Sequence, residues 1–220
     1  PASFQETEDM LEKTIKQDNC PVAIRYPRGK EGRYIDGGCD SSKIIREGRD
    51  FTIITYGISV NTALDVAEIL EAKGIDIEIV KLGRIWPVDY SHIIPSLEKT
   101  NRVLFLEETV MSGCIGEKVS CEILKRSIPL KSVLYKNLGH GFVQHGDIKS
   151  IERHGMTFRQ NKAMLGTQLL NSAWSEMPQM SGNIVCSPIS TVFSGVVRRT
   201  VGYGHNQHSL LGQQRIQRFP

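Results

Sequence analysis

The chain has 220 residues, 40% of them hydrophobic and 23% charged, with a formal net charge of +3. That length suggests one or two domains with a sizeable core, and so weak a charge gives no argument for nucleic acid or a membrane surface. Five cysteines without a CxxC pair speak against structural zinc or a disulfide framework and fit reduced thiols in the cytosol; no membrane-length apolar window and no signal peptide appear.

Ser3, Phe4, Gln5 and Glu6 read as a capping box that opens a helix. Met10, Leu11, Thr14 and Ile15 line one face of it. The chain starts inside this pattern without Met, which suggests a piece of a longer protein. A short apolar run follows, Val22, Ala23 and Ile24, as in a strand buried on both faces of a parallel sheet. Pro27 stops it, since proline cannot donate to a ladder, and Gly29 frees the backbone to turn. Arg28 then stands where open α/β sheets bind ligands, outside the carboxyl end of a strand. Its planar fork suits phosphate or carboxylate. On residue type alone, Arg25 and Arg28 read equally as solvated or ion-paired junction residues.

Residues 30–49 form a polar, glycine-rich connector in which residues 43–47 suit a short edge strand. A regular alternation begins at residue 50. Residues 50–56 read as a strand, and Ser59 is placed as the N-cap of a helix with an apolar stripe at Val60, Ala63, Leu64, Ala67 and Leu70. Gly74 suits its C′ position. Residues 75–82 read as a second strand, and Ile93, Ile94 and Leu97 mark a short helix. Residues 102–106 make a third strand, and a glycine turn at 113–116 leads into a helix with Ile115, Val119, Ile123 and Leu124 apolar. Residues 131–138 make the last strand, and residues 147–165 suit a short terminal helix. Alternating strands and helices imply βαβ units. The fold class expected is α/β, a three-layer α/β/α arrangement with a mostly parallel sheet and one antiparallel edge strand. Beyond residue 161 serine, glycine, glutamine and asparagine prevail without a sustained period, which reads as an irregular or disordered tail.

Other candidate sites are weaker. Glu107 and Glu108, adjacent on a strand, point to opposite faces and read as a strand-end charge pair at a subunit contact rather than an acid/base pair. His140 and His145 lack a third metal ligand, and His205 and His208 fall in the irregular tail. Residues 57–59 precede a helix N-terminus, which suits an anion or a plain strand–helix turn. Cys121, beside apolar helix positions, reads as core.

Several strings together resemble one family. Residues 21–29 (PVAIRYPRG), Thr55-Tyr56-Gly57, Trp86-Pro87-Val88-Asp89, Glu107-Glu108-Thr109, and Asn137-Leu138-Gly139 with Phe142-Val143-Gln144-His145-Gly146 are similar, in order and spacing, to the C-terminal part of the 1-deoxy-D-xylulose-5-phosphate synthase family, a thiamine-diphosphate branch of the transketolase group. The resemblance implies that residues 1–29 end a pyrimidine-binding domain, 30–49 are a connector, 50–160 a transketolase C-terminal domain, and 161–220 the irregular tail. It implies that Arg28 holds the phosphate of a sugar-phosphate acceptor, with no catalytic, cofactor-binding or metal-binding residue in this chain. Thiamine diphosphate and Mg2+ are expected to be held outside it, leaving the chain inactive alone. The complete enzyme is expected to be a homodimer in the bacterial cytoplasm or a plastid. Alternatives are the C-terminal domain of a transketolase or of a 2-oxo acid dehydrogenase β subunit, or a non-catalytic dimerisation or binding module. Two departures stand out: Trp86 replaces a usual lysine, and Cys114 replaces a usual glycine and is expected to strain its turn.

Overall fold

A computed structural model describes residues 1–16, 20–27, 30–38, 41–140, 166 and 169. The chain divides into two units, Pro1–Pro178 and Gln179–Pro220, and every described residue lies in the first. The expected helix at 147–165 lies outside the described residues.

Helix α1 spans Phe4–Ile15, with Ser3 as N-cap accepting from the Glu6 amide. The other strands and helices are β1 Ser42–Arg46, β2 Phe51–Thr55, α2 Ser59–Glu71, β3 Ile77–Leu82, α3 Ile93–Thr100, β4 Arg102–Leu106, α4 Ile115–Lys125 and β5 Ser132–Lys136. The five strands form one sheet in the order β1-β3-β2-β4-β5. β1 pairs antiparallel with β3, with an irregularity between Ile44 and Arg46, and every other pairing is parallel. The mixed α/β class and the antiparallel edge strand are therefore as the sequence predicts.

The layers follow from the side-chain alternation of the strands. Phe51 and Ile53 of β2, Ile77 and Ile79 of β3, and Leu104 and Leu106 of β4 pack with Ala63, Val66, Ala67 and Leu70 of α2. Ile54, Val80, Val103 and Phe105 point the other way, against Ile93 and Leu97 of α3 and Val119 and Ile123 of α4. β2 and β3 are buried at every position, as strands covered on both faces must be. Each fully buried Leu, Ile or Phe contributes about 1.5–3 kcal/mol. Gly166 and Leu169 are helical, and Leu169 joins the α2 face of this core.

Helix ends show where sequence signals hold and where they fail. At the end of α2, the Ile75 amide donates to the Leu70 carbonyl (3.0 Å) and the Gly74 amide to Glu71 (2.9 Å). Gly74 sits between them at φ +79°, the left-handed residue that this closure requires. Ser59, by contrast, is the first residue of α2; the N-cap position is Ile58 and no side chain caps the helix. The first-turn amides of Val60 and Asn61 bond to the Gly57 and Ile58 carbonyls instead. That is the plain strand–helix turn.

Several local expectations are corrected. Residues 21–27 form no strand, and Val22 is 45% exposed: an apolar run becomes a strand only where a neighbour completes its ladder. The face of α1 that carries Leu11 and Ile15 is turned to solvent; they are 45% and 77% exposed. Leu124 is on the solvent side of α4, and Cys121 is exposed rather than core. Cys114 is not strained: its φ of −65° and ψ of 165° are ordinary extended backbone.

Candidate functional site

In this strand order the chain leaves β2 for β3 on one side, then crosses to β4 on the other. The reversal opens a crevice between the carboxyl ends of β2 and β4, the place where open α/β sheets bind ligands. Here the crevice is filled from within. Glu107, one residue beyond β4 and 2% exposed, turns its carboxylate onto the start of α4. It accepts from the amides of Ile115 (2.9 Å) and Gly116 (2.8 Å) and from the Tyr56 hydroxyl (3.1 Å). A carboxylate against the first amides of a helix meets both unpaired donors and the positive end of the dipole. The surface charge pair expected at 107–108 is therefore corrected for Glu107, which is a buried cap.

Neighbouring groups respond to this charge. Burial, then the Glu107 charge, pushes the Tyr56 phenol above its ordinary value. Cys114, the N-cap of α4, is 2% exposed, and its thiol is pushed up by burial first and by Glu107 after it. Gly116 allows the approach: a Cβ there would lie 2.7 Å from Tyr135 Cε1 and 2.9 Å from Phe105 Cγ. Glu117 completes the helix start by accepting from the Gly113 amide at 2.6 Å.

A second buried carboxylate closes the end of β3. Glu6 of α1 is fully buried and forms an ion pair with Lys81, which lies on the α2 face of the sheet. Its other oxygen accepts from the Ala2 amide at 2.7 Å, where a capping box would reach the N-cap amide. The Lys81 ammonium also stands 5.7 Å from the centre of the Tyr34 ring. The junction after α1 reaches the same edge: Arg25 Nη2 donates to the Glu108 carbonyl at 3.1 Å.

One serine–carboxylate grouping resembles a catalytic set without being one. Asp89 accepts from the hydroxyls of Ser41 (2.6 Å), Ser42 (2.8 Å) and Ser91 (3.0 Å) and from the Ser91 amide (3.0 Å). Ser42 also stands 3.0 Å from His92 Nδ1. The serine lies between acid and imidazole, so the histidine has no carboxylate to orient it as a base. The Ser41 hydroxyl and the Ser91 amide, with further hydroxyls, hold the Asp89 carboxyl well below the usual range.

Of the residues singled out from the sequence, Arg28, His145, His205 and His208 lie outside the described residues. His140 is exposed. Among the described residues no group of three or more His, Cys, Asp or Glu is placed to hold a metal, and no helix is long and apolar enough to cross a membrane. Sequence reasoning missed Glu107 and the Glu6–Lys81 pair. A signal existed for each: α4 opens on a cysteine instead of a capping residue, and β3 carries the charged Lys81, as well as Glu78, in a strand whose other residues are apolar.

The sequence profile described as "Transketolase, C-terminal domain" matches residues 40–152, just over half of the chain. The chain belongs to the transketolase C-terminal domain family. Curated relatives align with this chain. The 1-deoxy-D-xylulose-5-phosphate synthase of Caldanaerobacter subterraneus subsp. tengcongensis is 30% identical over 162 residues, 71% of this chain and 26% of the relative. The enzyme of the same name from Syntrophomonas wolfei subsp. wolfei is 31% identical over 157 residues, 68% of this chain and 24% of the relative. The chain thus spans about a quarter of the curated relatives it matches. Among solved structures, "Split gene transketolase, inactive beta4 tetramer" is 25% identical, with a TM-score of 0.60 over 79% of this chain and 56% of that one. The transketolase C-terminal domain of this chain, then, carries its family's layered sheet, with Glu107 filling the crevice at the switch point.

Proposed function

We propose that this chain supplies the C-terminal α/β domain of a 1-deoxy-D-xylulose-5-phosphate synthase. The complete enzyme joins pyruvate to glyceraldehyde 3-phosphate and releases CO2. The observation that carries this reading is that curated relatives of this name match about 70% of the chain at about 30% identity. Arg28, in the string PVAIRYPRG, binds the acceptor phosphate through its guanidinium fork.

Thiamine diphosphate and Mg2+ do not fit the residues described here. The crevice at the switch point holds a carboxylate, which repels a diphosphate, and among the described residues no group of three or more His, Cys, Asp or Glu is placed to hold a metal. On this reading the cofactor is held outside this chain, and the chain alone is inactive. The working enzyme is a homodimer. In the assembled synthase Arg28→Ala is expected to raise the KM for glyceraldehyde 3-phosphate far more than that for pyruvate. Equal effects on both substrates reject the assignment of Arg28.

One observation favours a second reading. The split-gene transketolase β chain matches most of this chain, so the chain reads also as one subunit of a two-chain transketolase. Steady-state kinetics with each acceptor separate the two: a transketolase accepts a ketose donor and does not release CO2 from pyruvate.

A further inference from the structure

The amino end of the sheet, opposite the switch point, holds a buried polar cluster of its own. Thr52 of β2 and Glu78 of β3 stand opposite each other in register. They lie two residues before Ile54 and Val80, and so share the α3 face of the sheet. Ser96, Lys99 and Thr100, three to four residues apart on α3, meet them there. Thr52, Glu78, Ser96 and Thr100 are each at most 3% exposed. The Thr52 and Thr100 hydroxyls are 2.7 Å apart, and both donate toward the Ser96 carbonyl, at 3.3 and 3.0 Å. Glu78 Oε2 forms an ion pair with Lys99 and stands 3.4 Å from the Gly48 amide; the Lys99 ammonium also reaches Glu47 at 3.0 Å.

Two atoms of the cluster are left over. Glu78 Oε1 and Ser96 Oγ are buried without a hydrogen-bond partner among the described residues, and they do not bond to each other. Both belong to residues that flank Thr52. Buried polar atoms are satisfied by protein or by a small bound molecule, and here charge selects which. Lys99 already balances Glu78, so a cation at Oε1 would meet the ammonium and an anion would meet the carboxylate. The ligand is therefore neutral. A carboxylate oxygen only accepts, whereas a hydroxyl both donates and accepts. Water donates to the first and pairs with the second in either sense, and a buried water typically makes about three such bonds. We propose that one buried water bridges Glu78 Oε1 and Ser96 Oγ, with the Thr52 hydroxyl beside both as its third contact. The water fastens α3 to β3 one helical turn from the Lys99 ion pair.

The test is a crystal structure of the full chain grown from a rubidium salt, at a resolution that shows ordered water. The expected result is density for one water about 2.5–3.0 Å from both Glu78 Oε1 and Ser96 Oγ, with no anomalous signal at the rubidium edge. A rubidium peak at that position, a direct hydrogen bond between Ser96 and Glu78, or no density between them overturns the proposal. Ser96→Ala removes one end of the bridge and keeps the Glu78–Lys99 pair. Its crystal structure is expected to lack the water, and its unfolding equilibrium constant in urea to rise about tenfold, as for one lost buried hydrogen bond. A water that stays without the Ser96 hydroxyl overturns the bridge, as does an unchanged unfolding constant. The wild-type crystal structure decides the matter even where Ser96→Ala fails to fold.

Discussion

Helices α1 and α4 are similarly amphipathic, yet they face opposite ways. In α4 the buried positions are Ile115, Val119 and Ile123, turned to the sheet. In α1 the wholly buried residue is Glu6, and the apolar stripe of Phe4, Leu11 and Ile15 faces solvent. The difference teaches that periodicity identifies a helix and its two faces but not which face is inside. α4 follows the apolar rule because its neighbour is the apolar underside of β4 and β2. α1 breaks it because its buried side meets the end of β3, where Lys81 stands. Stability in the α/β domain comes from area removed from water; attachment of α1 comes from a few directed contacts.

The comparison is broken most severely in the domain core. Phe105→Ala removes a 1% exposed ring that packs 5.3 Å from the Tyr135 ring and is expected to cost about 3–5 kcal/mol in urea unfolding. A loss below about 1 kcal/mol would mean that the core is not the source of stability. Glu107→Ala strands the Ile115 and Gly116 amides and the Tyr56 hydroxyl, for an expected loss of about 2–3 kcal/mol. The Tyr56 phenol is then expected to titrate at lower pH, since one cause of its elevation, the Glu107 charge, is gone; ultraviolet titration measures this.

Smaller effects sharpen the contrast. Gly116→Ala forces a Cβ into Phe105 and Tyr135 and is expected to cost about 1–3 kcal/mol, with α4 amides exchanging faster. Asp89 supplies a pH test. A carboxyl depressed in the folded state contributes stability above its ordinary pKa of about 4, and that contribution is lost as pH falls below it. Between about pH 4 and pH 2, wild type is therefore expected to lose more stability than Asp89→Asn, read from urea midpoints at each pH. Parallel losses in the two proteins would show that the hydroxyls around Asp89 do not favour its charge. Ile15→Ala, on the solvent side of α1, is expected to stay within about 0.5 kcal/mol of wild type. A loss as large as that of a core residue would place a partner on α1 and end the contrast.

Much of the fold was legible before any coordinates. Val103, Leu104 and Phe105 are a continuous apolar run that only a strand covered on both faces accommodates, and Gly74 marks a helix end that needs a left-handed residue. The candidate site was less legible. Arg28 was reached through a string of residues rather than through chemistry. The charge-pair reading of Glu107 fails because nothing in its own neighbours reveals that α4, starting eight residues later, comes back to meet it. Val22 to Ile24 carry a strand's composition without a strand's partner.

By itself, then, the sequence determined the alternation of strands and helices, the apolar faces that build the two core layers, and the glycine closure of α2 at Gly74. These depend on residues near one another along the chain, where period and backbone preference act directly. Tertiary structure alone decided that Glu6 meets Lys81, that Glu107 caps a helix from another element, and that α1 turns its apolar stripe outward. Each of these depends on how separate elements come together, and a buried charge reveals its partner only once the fold has removed both from water.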